Sequence, residues 1–301
     1  MIIDVLSSVV PDPDAFARAG TAFARLDGYV EHFGGIDLSL DQAAREAAAA
    51  QAERAKCPSE DAFIAMLDAA KVDHAVIFTE NYDTTVGVSP ASNEQMAVAL
   101  GRFGERVIGL GGVDPWAPGA ADVVEKGVRE LGMRGFLVSP FKQKIRADDP
   151  RMAPIYERCQ ELGVPIFLHT GIHWSRGGDY ELDHPRYLDA VAGAYRDLKI
   201  VAVHAGWPWL DEMMIVAWRH PNIFIDISAH RPRHLAMAVG GGDALIHYGN
   251  RMLADRVMFG STWTLMNCSI SELLDEVRGL PLKQPVIDKW LGLNAQRLFD
   301  L

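Results

Sequence analysis

Short apolar runs alternate with longer amphipathic stretches from one end of the chain to the other. Eight runs, at 2–6, 74–79, 107–113, 135–139, 165–169, 200–204, 223–227 and 256–260, are rich in Val, Ile, Phe and Leu and lack polar alternation. Strands covered on both faces read this way, because neither face meets water. Between them, residues 120–131, 152–162, 187–195 and 210–219 carry apolar side chains at three- and four-residue spacing and predict helices with one buried face. Gly163, then Val164 and Pro165, marks a helix stop followed by a strand start. Repeated strand–helix alternation implies a parallel sheet. Eight such units favour closure into a (β/α)8 TIM barrel of the α/β class. An open doubly wound sheet is the alternative, but no GxGxxG follows an early strand.

The interval from Ser7 to about Cys57 breaks this rhythm. It holds a loop containing Gly and Asp, then an Ala-rich helical pattern at 40–56, with a second helix following at 59–70. In a barrel, residues 9–57 form a helical insertion after the first strand, over the mouth, where lids exclude water or touch other subunits. The plainer reading is a helix packed on the barrel wall. No internal repeat, low-complexity tail or inter-domain linker is visible, so 1–301 reads as a single domain.

Composition narrows the partners. The net charge of −11, from 29 basic and 40 acidic residues, disfavours nucleic acid and anionic membrane, since each needs a basic footprint. A small-molecule substrate, carboxylates included, remains compatible through a locally basic pocket, and a homo-oligomer is open. Cys57, Cys159 and Cys268 form no CxxC pair and read as reduced thiols of a cytoplasmic protein. Met1-Ile2-Ile3-Asp4-Val5 lacks the basic start of a signal peptide. No apolar run approaches the ~20 residues that span a bilayer.

Active sites of such barrels lie at the C-terminal ends of the strands. Two predicted strands end in histidine, Ile166-Phe167-Leu168-His169-Thr170-Gly171 and Val201-Ala202-Val203-His204-Ala205-Gly206. One strand-end histidine is ordinarily a satisfied polar residue. Two on consecutive strands, each closely followed by a glycine that permits close backbone approach, form a candidate pair. Other polar residues cluster at strand ends: Glu80 and Asn81, Lys142 and Lys144, His173, Trp174 and Arg176, then His230, Arg231, Arg233 and His234. Arg231 and Arg233 suit bidentate binding of a carboxylate, and suit a helix start with solvated arginines equally well. Lys142 and Lys144 read better as a solvated loop. Trp174, Trp207, Trp209 and Trp263 would wall an apolar pocket, although Trp209 and Trp263 serve as readily in structure.

The segments 163–171 and 204–212 (His204-Ala205-Gly206-Trp207-Pro208-Trp209-Leu210-Asp211-Glu212) resemble motifs of the amidohydrolase-2 family, which includes aminocarboxymuconate semialdehyde decarboxylase. So do 220–228, Arg256-Val257-Met258-Phe259-Gly260-Ser261 and Asn294-Ala295-Gln296-Arg297-Leu298-Phe299, in order over nearly the whole chain. The resemblance implies a divalent metal held by Asp-x-His-x-His on strand one and an aspartate after strand eight. Here Leu6 and Ser8 stand at the two histidine positions and Thr262 at the aspartate, leaving His169 and His204. Catalytic zinc needs about three protein donors, so no metal cofactor is expected; a divalent ion such as zinc is disfavoured, with His173, Glu80 and Asp4 as conceivable substitutes. The expected activity is metal-independent hydrolysis of a lactone, ester or amide of a small carboxylated or aromatic compound. His169 or His204 would polarise the carbonyl or shuttle protons, and Glu80 would activate water. Arg231, Arg233, His173, Trp174 and His230 would hold substrate. A metal-dependent non-oxidative decarboxylase of the same family and a non-catalytic ligand-binding barrel are the alternatives.

Overall fold

The strands of the computed structural model pair in parallel and in chain order: β1 (Ile3–Asp4), β2 (His74–Phe78), β3 (Val107–Gly112), β4 (Phe136–Val138), β5 (Ile166–His169), β6 (Ile200–Val203), β7 (Ile223–Asp226) and β8 (Val257–Met258). Each lies inside a run expected to be a strand. The structure describes residues 1–7, 18, 21–22, 25, 37, 39–56 (52–56 by backbone alone), 59–176, 178–237, 240–266 and 268–301. Just past β1 and β8, the Val5 N–H donates to the Phe259 carbonyl at 2.9 Å and the Thr262 N–H to the Leu6 carbonyl at 2.8 Å. The first and last strands therefore meet, consistent with a TIM barrel. Asp4 ties the same seam, accepting from the Ser261 N–H at 2.7 Å and the Ser261 hydroxyl at 2.6 Å.

The uninterrupted apolar runs follow from two cores. Successive strand side chains point to opposite faces. In β5, Ile166 and Leu168 join the layer between sheet and helices, whereas Phe167 joins Ile3, Leu6, Val76, Leu110, Val201 and Met258 inside. His169 continues the Phe167 face. It pairs in register with Val203, so His169 and His204 leave the sheet side by side.

Helices cover the outside. Between β1 and β2 lie α1 (Gln42–Lys56) and α2 (Glu60–Ala70), the latter capped by the Ser59 hydroxyl, which accepts from the Ala62 N–H at 3.3 Å. After β2 comes α3 (Asn93–Phe103), opened by a capping box of Ser92 and Gln95. Next are α4 (Ala120–Arg129) and α5 (Ala153–Leu162); Gly163 ends α5 at φ 70°, as the glycine signal predicts. Then follow α6 (Tyr187–Ala194), α7 (Leu210–Arg219) and, after β8, α8 (Ile270–Arg278). Of the expected insertion, α1 is described, but most of 9–38 lies outside the described residues, as do Ser8 and Cys57. Cys159 and Cys268 are free thiols. Among the described residues no helix is long and apolar enough to cross a membrane.

Candidate active site

His169 ends β5 almost fully buried, with its Nδ1 2.9 Å from Asp183 Oδ1. Burial pushes the imidazole down to about 3, and the Lys142 charge acts in the same direction. Burial likewise raises Asp183. The Phe141 ring stands 4.9 Å from the His169 ring, and the His204 ring 5.0 Å away at nearly a right angle.

His204 is aimed by unusual backbone. His204, Ala205 and Gly206 all have positive φ, at 65°, 56° and 72°. Two of them carry side chains that disfavour this region by roughly 1–2 kcal/mol each. Gly171, after β5, has φ 99°, and a Cβ there would sit 2.5 Å from the Trp207 carbonyl oxygen. Only glycine lets the two strand-end turns pack, and the Ile172 N–H then donates to that carbonyl at 2.8 Å.

His204 Nδ1 lies 2.8 Å from Ser228 Oγ and 3.2 Å from the Ser228 carbonyl. The Ser228 hydroxyl in turn bonds Asp226 Oδ2, and the Ser228 N–H donates to Asp226 Oδ1 at 2.8 Å. This line runs from the barrel interior at Asp226 to the mouth at His204. Burial raises Asp226 to about 7 and holds His204 well below its ordinary value. With Nδ1 engaged, Nε2 is the His204 nitrogen available to a ligand.

A cavity of about 370 Å³ opens on His169, Trp174, His204, Trp207, His230 and Arg231, among others. Seven residues singled out in the sequence thus come together: His169, Trp174, His204, Trp207, His230, Arg231 and His234. His230 Nε2 is 3.0 Å from the His204 carbonyl. Arg231 borders the cavity with its guanidinium committed to Glu272 and Glu276 of α8, and Arg233 is 57% exposed, 3.4 Å from Glu276. His173 stacks on Phe141 at 4.7 Å with its Nε2 2.9 Å from the Asp179 carbonyl. Glu80 is buried, accepting from the Ser139 hydroxyl at 2.5 Å and from Lys142 Nζ at 2.6 Å. Lys142 is mostly buried, which corrects the solvated-loop expectation; Lys144 is exposed. Trp209 packs on His184 and Tyr180 instead. The sequence reading missed Asp183 and the use of Ser228.

A model of the amidohydrolase family matches residues 41–301. The chain belongs to the amidohydrolase family. It is 25% identical to the gamma-resorcylate decarboxylase of Polaromonas sp. over 226 residues, which are 60% of this chain and 66% of that relative, just under two thirds of its length. An uncharacterized TIM-barrel protein of Bordetella bronchiseptica superposes with a TM-score of 0.73 at 22% identity, covering 99% of this chain and 98% of the other. The 5-carboxyvanillate decarboxylase of Novosphingobium aromaticivorans, solved with manganese and 4-hydroxy-3-methoxy-5-nitrobenzoic acid, superposes with a TM-score of 0.69 at 19% identity, covering 100% and 96%.

Among the described residues, the donors of this amidohydrolase do not fit a bound divalent ion. Leu6 packs in the inner core with 2% exposure. Thr262 Oγ1 accepts the Ala229 N–H at 2.7 Å. Asp4, Glu80 and His173, the conceivable substitutes, are engaged by Ser261, by Ser139 and Lys142, and by Asp179 respectively. Among the described residues, no three His, Cys, Asp or Glu side chains are placed to share a metal. Two imidazoles fall short of the three donors that a catalytic site uses.

Proposed function

We propose that this amidohydrolase is a non-oxidative decarboxylase of a small aromatic carboxylic acid and uses its own side chains as the proton source. The reading takes the eight strands as a closed (β/α)8 barrel with 9–57 as a helical insertion over its mouth, in a single-domain cytoplasmic protein. The observation that carries it is the hydrogen-bonded line Asp226–Ser228–His204 ending at a cavity walled by Trp174 and Trp207. Relatives with decarboxylase names, one of them solved with an aromatic acid, supply the substrate class.

The step balances with these groups alone. The Asp226 carboxyl proton passes to Ser228 Oγ, the Ser228 proton to His204 Nδ1, and the Nε2 proton to the ring carbon bearing the carboxylate. The bond from that carbon to the carboxylate then breaks, its electron pair returns to the ring and CO2 leaves. Solvent in the cavity then protonates His204 Nε2, and the relay runs back from Nδ1 through Ser228 to Asp226, which restores the starting state. His169, uncharged and oriented by Asp183, packs against His204 and holds that ring in place. Arg231 would reach a substrate carboxylate only by exchanging Glu276 for it.

The test is incubation of the purified chain with hydroxylated benzoates, γ-resorcylate and 5-carboxyvanillate among them. Release of one CO2 per acid is expected, with one deuterium entering the ring in heavy water and rates falling roughly 10²–10⁴-fold in His204→Asn. Metal-independent hydrolysis, the activity expected from the sequence, keeps support from the same donor set, since the line run in reverse makes His204 a general base for water. Uptake of labelled water oxygen by an opened lactone, with no CO2 from any acid, would decide for hydrolysis.

A further inference from the structure

A mostly buried cation follows β4, one aromatic ring away from His169. Lys142 Nζ lies 2.6 Å from Glu80 Oε2, with the two side chains 17% and 8% exposed. The Ser139 hydroxyl holds the other Glu80 oxygen at 2.5 Å. The Tyr82 and Phe141 rings flank the ammonium at 5.5 and 5.6 Å, and Phe141 itself touches His169. A buried ion pair is a weak source of stability, because desolvation offsets the attraction. This pair therefore calls for a use. An ammonium has three donors, and Glu80 takes one. The charge acts on His169, second only to burial, and is among the smaller influences on His204 and Asp183. Arg231, by contrast, spends its guanidinium on Glu272 and Glu276.

We propose that Lys142, held by Glu80 one aromatic ring away from His169, is the cation that binds the carboxylate of the substrate. The substrate class rests on the decarboxylase reading; the carboxylate-binding role rests on the Lys142 site itself. A charge that holds the carboxylate equally before and during reaction contributes to affinity rather than to bond cleavage. Lys142 thus governs KM and the preference for acids over neutral analogues.

The experiment is calorimetric titration of the full chain with benzoate and with benzamide, its uncharged counterpart. The wild type should bind benzoate at least roughly tenfold more tightly, the scale of one charge-assisted contact. Lys142→Met combined with Glu80→Gln, which leaves no lone buried charge, should reduce benzoate to the level of benzamide, and Lys142→Arg should keep most of the preference. No preference in the wild type, an unchanged preference in the double variant, or equal loss of both ligands would overturn the proposal. Loss of benzoate binding in the double variant, in a protein that releases CO2 from no acid, would support Lys142 while sinking the decarboxylase reading.

Discussion

His169 and Asp183 form a buried pair, Nδ1 to Oδ1 at 2.9 Å, that joins the end of β5 to the loop before α6. The two groups share one proton, and burial disfavours charge on either. Asp183 fixes which His169 nitrogen faces the cavity and at what angle. Asp183→Ala should lower kcat by about 10²-fold, the scale of a misplaced catalytic geometry, and Asp183→Asn should recover part of it. Steady-state kinetics of both variants check this; unchanged kcat in Asp183→Ala would remove His169 from the machinery.

Asp4 and Ser261 join the two ends of the sheet with two hydrogen bonds, both buried. Ser261→Ala deletes the hydroxyl donor and leaves Asp4 Oδ2 less satisfied inside the barrel. A loss of about 1–3 kcal/mol is expected, read from urea unfolding. Benzoate affinity should stay within a factor of about two, because Asp4 is spent on the seam. A variant as stable as the wild type would show that this contact does not hold the barrel together.

The sequence made the strands legible for a definite reason. Both faces of β5 and β6 are buried, so Phe167 and Val201 inside and Leu168 and Ala202 outside are all apolar. His169 stands out because it breaks that run at its end. Asp183 carries no such signal: it lies fourteen residues on, in a loop without periodicity. Lys142 looked solvated because its neighbours read as a turn, and its burial depends on Glu80, sixty-two residues earlier. Arg231 illustrates the converse. Its cationic cluster was plain, but the carboxylate that takes it up, Glu276, lies forty-five residues away on α8.

Asp226 gives stability a pH dependence of known sign. Burial raises it from 3.8 to about 7, so the folded chain keeps a proton that the unfolded chain releases near pH 4. Raising the pH through that window favours the unfolded state, and the loss levels off above about 7. At ~1.4 kcal/mol per unit the whole effect is several kcal/mol at most. Asp4 and Asp183, also raised, act in the same sense. His169, lowered to about 3, acts oppositely and costs stability as pH falls below 6.5. Asp226→Asn should therefore gain Tm relative to the wild type between pH 5 and pH 8. A difference in Tm that does not vary with pH would show that Asp226 does not titrate in this range.

Metal dependence follows from what each donor is already doing. Leu6 has no lone pair to offer and fills the inner core, and the Thr262 hydroxyl oxygen already accepts the Ala229 N–H. Asp4 closes the seam, Glu80 holds Lys142, and His173 faces the Asp179 carbonyl. His169 and His204 remain, each with one nitrogen committed to a protein partner. Such a pair binds zinc or manganese weakly. Turnover should accordingly be indifferent to chelators, and elemental analysis of the purified chain should give far less than one equivalent. Building the family ligands back, with Leu6→His, Ser8→His and Thr262→Asp together, should tighten manganese binding by roughly 10²-fold or more, measured by titration without reference to activity. One equivalent of metal in the wild type with chelator-sensitive turnover would instead show that a non-family donor is released to the metal, and His173→Ala and Glu80→Gln would be the first variants to test.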